Sequence, residues 1–181
     1  MKKNIMLGLI GTIGAGKTTV SDYLVSKGFE RITMGDLVRL KAKEEGLEPT
    51  RDNLQSLQEK YRTKFGKDYF IKEAIRKLKE SEKFLSLIDG IRTPIDAKAA
   101  KLEKAILILV DASPPIRFER LKSRKRTGDP QTFEEFKKQE EAEFKLFDFI
   151  TTLKYVDFKL DNSGSQKEIY KKVEDLIANI M

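Results

Sequence analysis

An apolar run, Ile5 to Ile10, leads directly into Gly11-Thr12-Ile13-Gly14-Ala15-Gly16-Lys17-Thr18, after which Val20, Tyr23 and Leu24 recur at helical spacing. Strand, glycine loop and helix in that order constrain the chain more than any other feature, because the loop is a full match to G-x-x-x-x-G-K-[ST]. Glycines let the backbone curl until successive N–H groups point inward, and the helix start adds the positive end of its dipole. Such a cradle takes phosphates. Gly11, Thr12, Ile13, Gly14, Ala15 and Gly16 would surround a polyphosphate with Thr19 at its helix end, Lys17 would bridge the β and γ phosphates, and the Thr18 hydroxyl would meet Mg²⁺. A chance glycine-rich turn is the alternative, and the position between strand and helix counts against it.

The remainder of the chain repeats that alternation. Apolar runs occur at Phe29 to Thr33, Phe84 to Asp89, Ala105 to Val110 and Tyr155 to Leu160, and three of the five runs are apolar almost throughout, as strands covered on both faces are. Helical spacing follows at Lys17 to Lys27, Gly35 to Glu45, Pro94 to Leu102, Pro114 to Lys125 and Ser165 to Ile180. Thr132 with Glu135, and Ser165 with Glu168, fit capping boxes that mark helix starts. The expectation is an α/β fold with a parallel sheet and right-handed crossovers. One stretch departs from it: Thr50 to Glu80 carries two helical patterns split at Phe65-Gly66-Lys67-Asp68 with no strand between. An insertion over about 46–80 could be a flap over a ligand crevice or an extra scaffold layer. No repeat or linker divides residues 1–181, so one domain is expected.

Composition narrows the chemistry. The sequence has no histidine and no cysteine, which excludes a thiol nucleophile, a histidine-based triad, a disulfide and a Cys/His zinc site. Carboxylates, Lys, Arg, hydroxyls and backbone amides remain. The net charge of +7 favours anionic partners. Much of it is local, since Arg117 to Arg126 holds six basic residues against the single acid Glu119. That concentration favours a phosphate site and makes nucleic-acid binding the weaker explanation. No apolar run reaches the roughly 20 residues of a membrane span, so no membrane association is expected and the cytoplasm is the expected compartment.

A phosphate loop is shared by kinases, GTPase switches and motor ATPases. The guanine-reading N-K-x-D sequence is absent, and Asp89 is followed by Gly90 rather than by a catalytic Glu, both of which count against the switch and motor readings. Ile88-Asp89-Gly90-Ile91-Arg92 resembles the D-G-x-x-R segment of nucleoside monophosphate kinases. Gly8 to Val20 and Asp161-Asn162-Ser163-Gly164-Ser165 are similar to the opening and the D-N-S-G-S segment of dephospho-CoA kinases. Over nearly its whole length the chain resembles an archaeal group of nucleotide-kinase-like proteins, through Met34 to Arg39, Gly46 to Thr50 and Arg117 to Leu121.

The resemblance implies a three-layer P-loop nucleoside triphosphate hydrolase fold with five parallel strands in order 2-3-1-4-5, an acceptor held under the helical insertion and a basic lid at about 117–135. It implies a kinase using ATP and Mg²⁺ on a small phosphorylated acceptor, foremost a nucleoside or deoxynucleoside monophosphate, with dephospho-CoA as the runner-up. An ATP-dependent RNA-binding or regulatory protein is the reading from another class.

Roles follow residue by residue. Asp36 would orient the acceptor and take its proton, or else cap a helix, and Arg39 one turn on would meet an anionic acceptor. Asp89, ending a buried strand, would hold Mg²⁺ with Thr18 or cap a turn. Arg92 would clamp the acceptor phosphate, a task suited to a planar bidentate donor, or lie in water. Arg62 is a further acceptor contact from the insertion. Arg117, Arg120 and Arg124, at i, i+3 and i+7, share one helix face, where stacked like charges point to an anion between them; Arg124 and Arg126 are the arginines expected at the transferred phosphoryl group, Arg120 and Arg124 at the nucleotide. Asn162, Ser163 and Gly164 would line the adenine pocket by resemblance, or form a turn capped by Ser165. The segment from Thr50 to Lys79 and Thr93-Pro94-Ile95 both differ from dephospho-CoA kinases, where the acceptor would bind.

Overall fold

The computed structural model describes residues 4–124 and 128–181. The elements run β1 (Ile5–Gly11), α1 (Lys17–Ser26), β2 (Glu30–Thr33), α2 (Met34–Glu44), α3 (Arg51–Phe65), α4 (Tyr69–Glu80), β3 (Leu85–Ile91), α5 (Pro94–Leu102), β4 (Ile106–Asp111), α6 (Pro114–Arg124), α7 (Phe133–Phe147), α8 (Phe149–Thr152), a 3₁₀ turn (Leu153–Tyr155), β5 (Phe158–Asp161) and α9 (Gln166–Ile180). The strands form one sheet in the order β2-β3-β1-β4-β5, and every pairing is parallel. The order implied by the resemblance is the one observed.

Alternation along the strands splits the core into two layers. Leu7 and Leu9 of β1, Leu87 of β3, and Ile108 and Val110 of β4 face α1 and α9, where Val20, Leu24, Val173 and Leu176 cover them. Ile10, Ile88, Leu107 and Leu109 face the other way, onto α2, α4 and α5. Both faces of each central strand are therefore buried, which is why those strands read as almost unbroken apolar runs.

Two details differ from the sequence reading, and a third settles an alternative it left open. The run Ala105 to Val110 is a strand from Ile106, but Tyr155 to Asp157 is not one: Leu153–Tyr155 is a 3₁₀ turn. Asp157 makes the junction: its amide donates to Leu107 O at 2.8 Å and its carboxylate accepts from the Leu107 amide at 2.7 Å and from Lys101 Nζ at 2.7 Å, and the regular strand begins at Phe158. Asp89 does not end its strand. β3 continues to Ile91 through a bulge, with Leu9 paired to Asp89 and Ile10 to Ile91, and the skipped Gly90 has φ +94°, a conformation that favours glycine. Of the two alternatives for the stretch 46–80, α4 takes the scaffold layer: it buries Phe70, Ile71, Ala74, Ile75 and Leu78 against the sheet and its neighbours, and α3, capped by the Thr50 hydroxyl, adds Leu57 to the same core.

Among the described residues no helix is long and apolar enough to cross a membrane.

Candidate active site

The loop from Thr12 to Gly16 sits at the carboxyl end of β1, where parallel α/β sheets present ligands. Gly16 occupies the capping position of α1 with φ +87° and provides no side-chain cap, so the first amides of α1 have no partner from that residue. A β-carbon at Gly16 would lie 2.2 Å from Asn162 Nδ2. The glycine is thus required twice, by its dihedral and by the approach of β5. Lys17 Nζ folds back on the loop, donating to Gly11 O at 2.7 Å and Thr12 O at 3.1 Å.

Burial lowers the Lys17 ammonium from its ordinary 10.5 to about 8, with the Arg92 charge acting in the same direction and Asp89 and Glu143 opposing it. A polyphosphate laid against it would favour the charged form. Nucleotide binding is therefore expected to draw up close to one proton above about pH 8, and affinity to fall by up to about tenfold per pH unit there. Titration calorimetry at about pH 9 in two buffers of different ionisation enthalpy reads the proton directly; no uptake would mean that Lys17 does not meet the phosphates.

Between the loop and the far half of α7 is a cavity of ≈ 220 Å³, bordered by Gly11 to Gly14 and Lys17. Arg92 enters from the β3–α5 connection and Arg124 from the end of α6; Glu143, Phe144 and Phe147 come from α7, and Phe149 from α8. The Arg92 guanidinium lies 5.2 Å from the Phe147 ring centroid and forms no ion pair among the described residues. Phe144 stacks on Phe149 at 4.9 Å. Asp89 is 9% exposed, and its carboxylate has no hydrogen bond or ion pair among the described residues. A second, open depression lined by Pro115, Ile116, Glu119, Arg120, Ser123 and Arg124 runs along α6, but no residue of the glycine loop borders it. The smaller cavity is therefore the one joined to the phosphate cradle.

The arginine ladder on α6 is not a bare anion site. Arg117 is 4% exposed, donates from Nε to Ala112 O at 2.8 Å, pairs with Glu140 of α7 and lies 5.1 Å from the Phe136 ring. Arg120 Nη2 donates to Asn162 O at 2.7 Å. Arg124 is held by Asp129, through Nε at 2.9 Å and Nη2 at 2.5 Å. Each guanidinium has its own partner, which is how the like charges are tolerated on one face, and only Arg124 of the three borders the cavity. Arg126 lies outside the described residues.

Asn162 is 5% exposed, and its side-chain amide donates to Ala15 O at 2.8 Å, so it braces the loop from behind instead of presenting that amide to a base. Its neighbours are likewise engaged: the Ser163 hydroxyl donates to Asp161 Oδ1 and accepts from the Ser113 amide, and a β-carbon at Gly164 would collide with the Glu168 carboxylate. Asn162→Ala leaves Ala15 O without that donor and is expected to cost about 1–3 kcal/mol in urea unfolding, with weaker nucleotide binding.

Asp36 is neither at a strand end nor a cap. Thr33 occupies the capping position, and Asp36 sits exposed in the first turn of α2, paired with Arg39 at 2.6 Å. Neither residue borders the cavity. Arg62 leans toward Asp96, Nη2 to Oδ2 3.9 Å, and is also outside the lining. Thr18 is exposed at the start of α1, and Thr19 is half-buried behind it.

Sequence reasoning missed Glu143 and the phenylalanines of α7, although the helix start at Thr132 was legible and both halves of its capping box form. The signal is a single helical stripe, Phe133, Phe136, Glu140, Glu143, Phe144 and Phe147, in which two acids interrupt an apolar face. One of them neutralises Arg117 and the other borders the cavity.

Comparisons with known proteins agree with the fold. Residues 7–144 match the AAA domain family. A UPF0200 protein of Hyperthermus butylicus is 32% identical over 178 residues, spanning 97% of this chain and 95% of its own. Another, from Thermococcus gammatolerans, is 33% identical over 177 residues, spanning 94% and 93%. Among solved structures, shikimate kinase from Acinetobacter baumannii in complex with shikimate aligns with a TM-score of 0.61 at 19% identity, over 98% of this chain and 95% of that one. Shikimate kinase from Bacteroides thetaiotaomicron gives 0.58 at 13%, over 96% and 98%. Identities that low speak for the fold alone. Because relatives at about a third identity run along nearly the entire chain and the domain match extends from β1 into α7, this protein belongs to the UPF0200 family and carries an AAA domain on a P-loop kinase fold.

Proposed function

We propose that the protein is a kinase that transfers the γ-phosphoryl group of ATP to a small phosphorylated acceptor bound in the cavity beside the glycine loop. The observation that carries this reading is the convergence of Lys17, Arg92 and Arg124 on one cavity whose lining also holds Phe144, Phe147 and Phe149. Cations suit phosphates; aromatic rings in the same lining suit a planar base. Nucleoside and deoxynucleoside monophosphates therefore lead the candidate acceptors, and dephospho-CoA, which also joins phosphate to a base, is the alternative. Transfer demands little covalent work from the protein beyond holding the phosphates and the acceptor in line.

Asp89 supports a role for Mg²⁺. A nearly buried carboxylate with no protein partner among the described residues is costly unless a cation satisfies it, and together with the Thr18 hydroxyl it would offer a sparse all-oxygen donor set of the kind Mg²⁺ accepts. The ion would neutralise phosphate charge. Asn162 would bound the nucleotide through the loop it braces, with Arg120 holding Asn162 and with Ser163 and Gly164 in the turn beside it, and Asp36, Arg39 and Arg62 remain candidates for the acceptor side from α2 and α3.

The test is a panel of nucleoside monophosphates, deoxynucleoside monophosphates and dephospho-CoA with Mg-ATP, following ADP release and product mass together. Acceptor-dependent ADP release supports the kinase; its absence from folded protein whose Tm rises with Mg-ATP sinks it. Arg92→Lys keeps the charge but loses the bidentate fork. It is expected to raise acceptor KM by about 10–100-fold with the KM for ATP little changed. An unaltered acceptor KM would remove Arg92 from the acceptor site. RNA binding is the rival, and strong salt-dependent RNA retention without any turnover would favour it.

A further inference from the structure

The cavity contains a group that a purely anion-binding site would avoid. Glu143 projects from α7 into the lining that Lys17, Arg92 and Arg124 share, is half-buried, and forms no hydrogen bond or ion pair among the described residues. It is close enough to act on the Lys17 charge. Lys17 belongs at the transferring end of the polyphosphate, so Glu143 is near the transferring end also, not at the far end of the acceptor.

The chemistry of the nucleophile decides what such a carboxylate is for. An acceptor attacking through its phosphate carries about −1.5 to −2 charge at neutral pH and has little proton to give up. A second anion beside it opposes its approach. An alcohol is the reverse case: it is neutral, it binds a carboxylate as a donor, and it must lose a proton as it attacks. Asp36, the carboxylate the sequence nominates for that task, is exposed and paired with Arg39 outside the cavity.

We infer that Glu143 takes the proton from an acceptor hydroxyl, so that the protein phosphorylates an alcohol group of a phosphorylated molecule and the acceptor's own phosphate, on Arg92, is a handle and not the nucleophile. This rests on the kinase reading above and deepens it. In the step, the hydroxyl oxygen forms a bond to the γ-phosphorus while the bond from that phosphorus to the β–γ bridging oxygen breaks. ADP leaves with that oxygen and its electron pair, and the hydroxyl proton passes to a Glu143 carboxylate oxygen and then to solvent. The product is a phosphomonoester. A phosphoanhydride is the product of the other route. Among nucleotides this selects ribose hydroxyls, including the free 3′-hydroxyl of dephospho-CoA.

The test uses the full chain with Mg-ATP and three kinds of probe: 5′-monophosphates of adenosine, cytidine, guanosine and uridine; dephospho-CoA; and water alone, as basal ATP hydrolysis. Phosphorus NMR distinguishes a new phosphomonoester from a new phosphoanhydride. The expected result is a phosphomonoester, with Glu143→Gln lowering kcat by about 10²–10⁴-fold, the KM for ATP within about threefold, and partial rescue by Glu143→Asp. Asp36→Asn should lower it far less. If Glu143 were only a counter-charge to Lys17, Glu143→Gln would move the KM for ATP and spare kcat, which overturns the proposal. A phosphoanhydride product also overturns it while leaving the kinase standing. Should no monophosphate or dephospho-CoA react in folded protein that binds Mg-ATP, the kinase reading falls and this proposal falls with it.

Discussion

Lys17→Ala is expected to lower kcat by at least about 10²–10³-fold while the protein stays folded. The reason for the first half is position: Lys17 is the cation at the mouth of the glycine loop, and its ammonium is already aimed by Gly11 O and Thr12 O. Among the described residues no other cation of the cavity is placed to replace it, since Arg92 lies on the Phe147 ring and Arg124 is tied to Asp129. The second half follows from the sign of its titration. Folding lowers the Lys17 ammonium to about 8 from 10.5, so the charged form costs stability at all pH values below about 8, and the cost fades as pH rises toward 10.5. Removing the group relieves that cost. Denaturant unfolding of Lys17→Ala without nucleotide should accordingly show no loss of stability at pH 7, and the rise in Tm with Mg-ATP should shrink or vanish. A variant that loses activity because it unfolds would refute the assignment.

Arg117→Ala is expected to act in the opposite way, through stability first. Its guanidinium is buried among Ala112 O, Ile13 O at 3.4 Å, Glu140 and the Phe136 ring, joining β4, the glycine loop and α7 at one point. Taking it away leaves the Glu140 carboxylate nearly buried and without its partner, which costs about 3–5 kcal/mol. Urea unfolding measures this, and a loss under about 1 kcal/mol would show the pair to be dispensable. Arg117→Met combined with Glu140→Leu should recover much of the stability, because an apolar pair carries no desolvation cost. It should not recover nucleotide affinity, since the tether to Ile13 O is still missing.

These two basic residues show where a sequence can and cannot be read. Lys17 was legible as a functional group because its chemistry is set by its neighbours in the chain: strand, glycines and helix place it without help from distant residues. Arg117 was legible only as one rung of a charged ladder. Its partner Glu140 is 23 residues away, and nothing local shows that the pair is buried. Arg92 was nominated from the D-G-x-x-R segment, and the bulge at Gly90 that re-aims the chain after Asp89 is a property of strand pairing, not of the segment alone. Asp36 shows the converse. Its position after β2 made it a sound candidate, yet with Thr33 as the cap, the first turn of α2 points it at Arg39.

By itself the sequence determined the phosphate loop, the alternation of strands and helices and the two capping boxes, because each depends on periodicity or on groups a few residues apart. Absence of histidine and cysteine also fixed the chemical vocabulary at carboxylates, hydroxyls, amides and cations. Only the tertiary structure decided which of those groups meet. Strand order brings β5 behind the glycine loop so that Asn162 braces Ala15, and α7 crosses in front so that Glu143 and Phe147 close the cavity over Lys17 and Arg92. Such contacts join residues far apart in the chain, and the pairing that creates them is set by burial of both sheet faces at once, which no local stretch encodes.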